Sequence, residues 1–170
     1  MLNSSPGPAS RSSVGKRGTA KATMIDRSLI GVETLEYSIE IEKEMIRQFA
    51  ASISESNPVY FDVAAARAAG HPSILAPPTF GFTINNFHPH PFDFGELGLK
   101  VDQVLHAEQK FVYFAPIYVG DTIRVRGRIT DVFEKRDGLL GFVCMSTFAR
   151  NQHDHAVFEM VTVLVCRKEA

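Results

Sequence analysis

The rhythm of apolar and polar residues changes along the chain, and each change predicts an element. From Leu35 to Ile41 the two alternate, which predicts a half-buried strand. From Glu42 to Ser54 the period lengthens. Met45, Ile46, Phe49 and Ile53 then share one face of a helix, with Glu44, Arg47 and Gln48 elsewhere. Asn57-Pro58 ends that helix, because the residue before proline is pushed out of the α region. Asp62 is placed to cap a short helix over Val63–Ala69, and Gly70 supplies the left-handed position that stops it. Pro77-Pro78 pre-sets the backbone for another helix start. There Phe80, Ile84 and Phe87 recur at i, i+4 and i+7, Phe82 adds bulk, and Gly81 leaves room for a close neighbour. This helix is apolar enough to be central and buried.

After an irregular Pro- and His-rich stretch from His88, the pattern turns to strands. Leu105 to Ala115 is the first, closed by a turn over Pro116 to Gly120. Thr122 to Lys135 alternates, with Ile123, Val125, Ile129 and Phe133 on one face and Arg124, Arg126, Arg128 and Thr130 on the other. Arg136-Asp137-Gly138 signals a hairpin. Leu140 to Arg150 follows, then a tight connection over Asn151 to His155. Ala156 to Cys166 is apolar on both faces, as expected of a strand buried deeply or at an interface. Strands joined by short turns are antiparallel. One apolar helix and one sheet therefore predict an α+β fold, a curved antiparallel sheet wrapped around a long central helix. Such a sheet leaves edges and a second face open, and dimerisation is the expected remedy.

Composition narrows the functional classes. A chain of 170 residues, 45% hydrophobic, is large enough for one good core. Its net charge of -1 gives no overall field for nucleic acid or an anionic membrane. No apolar run approaches the length needed to span a bilayer, and the basic, Ser- and Gly-rich residues 1–23 lack the apolar core of a secretory signal. We therefore expect a tail over residues 1–23, one domain over 24–170, and a cytoplasmic location. Cys144 and Cys166 have neither metal nor redox-motif spacing, and their apolar surroundings predict buried free thiols.

Other chemistry-bearing residues have ordinary readings. His88 and His90, with Asp93, Phe92 and Phe94 nearby, do not complete a metal set and read as a flap. His106 reads as a structural imidazole, and His153, Asp154 and His155 as a solvated turn. Arg124, Arg126 and Arg128 form a basic stripe, either a solvated face balanced by nearby Glu or a contact for the phosphates of a ligand.

The sequence of elements resembles the hot-dog fold. Ser54-Glu55-Ser56-Asn57-Pro58-Val59-Tyr60, with Ala66 six residues on, resembles the hydratase motif of the MaoC-like dehydratases: Gly-Asp-x-Asn-Pro-aliphatic-His, then Ala or Ser. Leu105 to Phe111, the Gly120-Asp121-Thr122 turn and Val132 to Arg136 resemble the FAS1-like dehydratase branch, the MaoC dehydratase N-terminal domain. The resemblance covers about Ile25 to Arg167. It implies an enoyl hydratase or (3R)-hydroxyacyl-thioester dehydratase. In such enzymes the motif's Asp and His hold and deprotonate a water, and donors meet the thioester oxygen as enolate charge develops. The substrate itself carries coenzyme A or phosphopantetheine, so no separate cofactor or metal is implied.

This chain departs from the pattern at the positions that do the chemistry. Glu55 stands for the Asp and Tyr60 for the His, and a phenol, with an ordinary pKa of about 10, is a poor base. Ala76-Pro77-Pro78 replaces Ala-His-Gly, and Pro78 has no amide hydrogen to donate into an oxyanion site. The resemblance therefore implies an acyl-binding subunit that pairs with a second hot-dog subunit bearing Asp and His. Asn57, Pro78, Phe80, Gly81 and Ile84 are its substrate-side positions; Asn57 also suits a turn-forming role, and Phe80, Gly81 and Ile84 also suit plain core packing. Two rivals stand beside this reading. One is a homodimeric hydratase using Glu55 or another residue as base. The other is a non-catalytic acyl-thioester binding protein.

Overall fold

The computed structural model describes residues 25–87 and 99–167. Its backbone runs β1 (Tyr37–Glu40), α1 (Lys43–Ser52), α2 (Val63–Ala68), α3 (Phe80–Asn86), β2 (Val104–Tyr113), β3 (Thr122–Lys135), β4 (Leu140–Arg150) and β5 (Ala156–Arg167). All pairings are antiparallel, in the order β1-β3-β4-β5-β2. This is the expected α+β arrangement, with the curved sheet folded about α3. The tail expected over residues 1–23, Met24, and the flap expected at His88, His90, Phe92, Asp93 and Phe94 lie outside the described residues.

The helices end where local chemistry demands. In α1, Ile46 and Ala50 are buried, with Met45 and Phe49 against the core. Ile53 does not join that face. It is the C-cap and 48% exposed, because the helix closes two residues earlier than the apolar spacing implied. The closure has the hydrogen bonds of a Schellman motif: Ser54 N–H to Ala51 O at 3.0 Å and Glu55 N–H to Ala50 O at 2.9 Å, with Ser54 at φ 57°. The end of α2 repeats it with Gly70 at φ 89°, and His71 N–H reaches Ala66 O. Asp62 caps α2 through Ala65 N–H at 2.8 Å.

The face of the sheet toward α3 makes the core. Phe80 and Ile84 are fully buried among Ile41, Ile46, Ile74, Ile123, Val125 and Met160. Gly81 lets a neighbour approach closely: a Cβ there would lie 3.1 Å from the Phe158 ring. Tyr37 donates its hydroxyl hydrogen to the carbonyl of Ile84, tying β1 to α3. A second cluster, built on Ile25, Leu99, Ile129, Val132, Val143 and Cys166, fills the sheet's other end.

The alternation of β3 does not run through to Phe133. The β3–β4 register slips between Ile129 and Asp131. One extra residue reverses the parity, so Val132 enters the core and Phe133 moves to the outer face, stacked on Phe142 at 4.8 Å. The two thiols separate in the same way. Both are free, but Cys166 is buried in the inner core while Cys144, on the outer face, is only half-buried.

Candidate functional site

The site begins at the turn after α1. Glu55 Oε1 accepts from the N–H groups of Ser56 (2.8 Å) and Asn57 (3.0 Å), and Asn57 Oδ1 accepts from Val59 N–H (3.2 Å). Pro58 needs no donor at the start of the 3-10 turn Pro58–Tyr60 that follows. Two side chains thus satisfy three backbone donors, and the turn is fixed locally. Its product is the placement of Tyr60.

Tyr60 lines a cavity of about 380 Å³. The wall opposite comes from elsewhere in the sequence. The segment Leu75–Pro78 crosses beside it, held by Ala76 N–H to Ile117 O (2.8 Å) and Leu75 N–H to Val59 O (3.3 Å). The end of β2 and the following turn contribute Tyr113 through Ile117, and the start of β5 contributes Val157 and Phe158. The pairing of Tyr113 with Phe158 brings these strands together, and Phe114 and Ala115 N–H groups both reach Val157 O. The lining is dominated by apolar groups, and the volume falls within the range of small-ligand sites. Tyr113 and Phe114, half exposed at 50% and 56%, form its outer rim. Burial raises the Tyr113 pKa, so its hydroxyl is a donor at neutral pH.

The residues singled out in the sequence divide into three positions. Tyr60 and Pro78 meet at the cavity. Glu55 and Asn57 stand behind it, engaged with the turn's own backbone. Phe80, Gly81 and Ile84 lie in the core beneath it. Gly81 nevertheless shapes the site, because it admits the ring of Phe158, which is part of the wall. The wall residues Tyr113 to Ile117 had one sequence signal: the run Phe111-Val112-Tyr113-Phe114 breaks strand alternation with consecutive apolar residues. Val157 and Phe158 had none.

Among the described cavity residues there is no histidine and no carboxylate. His71 contacts the Tyr118 hydroxyl at 3.2 Å, and His106 stacks edgewise on Phe82. Among the described residues no three His, Cys, Asp or Glu side chains gather as a metal site, and no helix is long and apolar enough to cross a membrane. The arginine stripe is partly spent on acids: Arg124 pairs with Asp154 at 2.5 Å, and Arg126 with Glu33 at 3.6 Å and Glu36 at 4.0 Å.

Residues 28–160 match the family model described as FAS1-like, dehydratase domain region. The UPF0336 protein of Thermobifida fusca is 34% identical over 148 residues, 86% of this chain and 96% of that protein. The UPF0336 protein of Streptomyces coelicolor is 39% identical over 109 residues, 62% of this chain and 71% of that protein. The C-terminally truncated HadBC (3R-hydroxyacyl-ACP dehydratase) complex of Mycobacterium tuberculosis superposes with TM-score 0.69 at 25% identity, covering 81% of this chain and 96% of that chain. The R-hydratase PhaJ1 of Pseudomonas aeruginosa gives TM-score 0.64 at 20% identity, over 82% of this chain and 83% of that chain, a likeness of fold.

Proposed function

Because this chain belongs to the FAS1-like dehydratase family of hot-dog proteins, we propose that it is the acyl-binding component of a (3R)-hydroxyacyl-thioester dehydratase or enoyl hydratase. A second hot-dog subunit supplies the Asp and His. The observation that carries this is the cavity: its described lining is mostly apolar, with Tyr60 and Pro78 at the motif positions, and offers neither a base nor an amide donor there. The residues here bind and orient. The acyl chain lies against Pro78, Ile117 and Phe158, away from water, while Tyr60 and Tyr113 offer hydroxyl donors at the rim. Activation of water at the β-carbon and protonation at the α-carbon fall to the partner.

The partner's sheet meets this one along β2. That strand is ten residues long, ends the sheet, and borders the cavity through Tyr113. The solved relative HadBC is itself described as a complex. A homodimer using Glu55 as base has less support, because one of its oxygens already accepts both Ser56 and Asn57 N–H.

The test follows hydration of crotonyl-CoA and longer enoyl-CoA esters by the chain alone and together with the product of an adjacent small hot-dog gene. Turnover only in the mixture is the expected result. Turnover by the chain alone, lost in Glu55→Gln, overturns it in favour of the homodimer. Saturable binding without turnover in either case makes the protein a non-catalytic acyl-thioester binding protein.

A further inference from the structure

The face of the sheet turned away from α3 has no helix over it among the described residues, and its charges are ordered. One row across it reads Glu108, Val163, Cys144 and Asp131, from β2 to β3. The next row reads Lys110, Val161, Ser146 and Arg128. An acidic residue flanks the apolar centre on both sides in the first row, and a basic residue does so in the second. After burial, Asp131 and Glu108 both raise the Cys144 pKa, as expected of two carboxylates facing one thiol. Arg126 is neutralised by Glu33 and Glu36, but among the described residues none of Glu108, Lys110, Arg128 and Asp131 forms an ion pair within its own chain. Exposed apolar side chains continue the pattern outward: Leu105, 71% exposed, beyond the acidic row, and Phe148, 50% exposed, beyond the basic one.

We propose that this face binds a second copy of the same chain, about a two-fold axis that lies along the rows and between them. That operation exchanges the rows. Glu108 of one chain faces Lys110 of the other, Asp131 faces Arg128, and the symmetry forms each pair twice. Val161 and Val163 meet at the centre. One row out, Leu105 faces Val112 and Phe142 faces Phe148. An axis parallel to the strands would instead set acid on acid and base on base, so the charges select one of the two isologous stackings. Stacked sheets stand about 10 Å apart, a gap that a Lys or Arg and a carboxylate bridge together. Twist rotates stacked strands relative to each other, so the central valines are displaced least, and the charges on the flanking strands keep their pairing through the reach of Lys and Arg side chains.

This contact is separate from the β2 edge, because face side chains and edge amides point at right angles. The experiment measures mass by sedimentation equilibrium on the full chain and two variants, Glu108→Lys/Asp131→Lys and Lys110→Glu/Arg128→Glu. Each variant carries one sign of charge across both rows. The expected result is a wild-type mass twice that of either variant, and a return to the doubled mass when the two variants are mixed. The mixing step also excludes misfolding, which would not be rescued. Equal masses for wild type and both variants, or no gain on mixing, overturn the proposal, whatever species the β2 edge forms.

Discussion

The two faces of one sheet were built by different rules. The inner face presents Ile123, Val125, Phe158 and Met160 to α3, all essentially sealed from water. Across the same strands the outer face presents Val161 and Val163, half-buried, in a frame of exposed charges. The inner face solves its problem within the chain: the helix supplies the apolar surface and Tyr37 ties the helix down. The outer face is left for something else to solve. Burial against self sets stability, and the incomplete face sets association.

Truncation should separate the faces most strongly. Phe80→Ala removes a fully buried ring that packs on Phe49 at 5.4 Å, and should cost about 3–5 kcal/mol in urea denaturation. Phe148→Ala on the outer face should cost within about 0.5 kcal/mol in the isolated chain. Equal losses would break the distinction.

Tyr37 tests the inner face by pH. Its pKa is raised by burial, so it favours the protonated, folded state. That contribution is fully present below the phenol's ordinary pKa of about 10 and is lost as pH rises beyond it. The thiols of Cys144 and Cys166, also raised by burial, add a similar loss from about pH 8.5 upward. Stability should therefore be flat near neutrality and fall above about pH 9. Tyr37→Phe should cost about 0.5–1.5 kcal/mol at neutral pH by losing one hydrogen bond to the Ile84 carbonyl, which keeps the Phe87 N–H, and should flatten the alkaline fall.

Gly81→Ala links the inner face to the cavity. Overpacking against Phe158 costs about 1–3 kcal/mol, and the gain in helix propensity returns about 1. A net loss of about 1 kcal/mol is expected, with weaker acyl-ligand binding as the Phe158 ring shifts. In a Phe158→Leu background the same change should be neutral or stabilising.

The smallest contrast is chemical. At dilutions where the chain is monomeric, Cys144 should react with iodoacetamide faster than buried Cys166, read by mass spectrometry. Asp131→Asn should speed Cys144 further, since that carboxylate raises its pKa, and leave Cys166 unchanged.

The elements of this protein are legible where their causes are local. Asp62 capping α2, Gly70 ending it, and the Asn57-Pro58 turn each rest on bonds that span a few residues. The pocket wall is different. Tyr113 and Phe158 become neighbours only through the β2–β5 register, and no spacing announces that. Phe133 makes the same point within one strand, because the bulge that turned it outward is set by pairing with β4.

Composition and period thus determined the secondary elements and the antiparallel sheet about an apolar helix, while the resemblance to the hydratase motif implied that imidazole and amide are missing there. Tertiary structure decided which side chains surround Tyr60, that Glu55 is engaged with backbone, and that four charges form two ordered rows. Local hydrogen bonding and periodicity act along the chain, whereas a cavity or a face is a sum over residues that only strand register brings together.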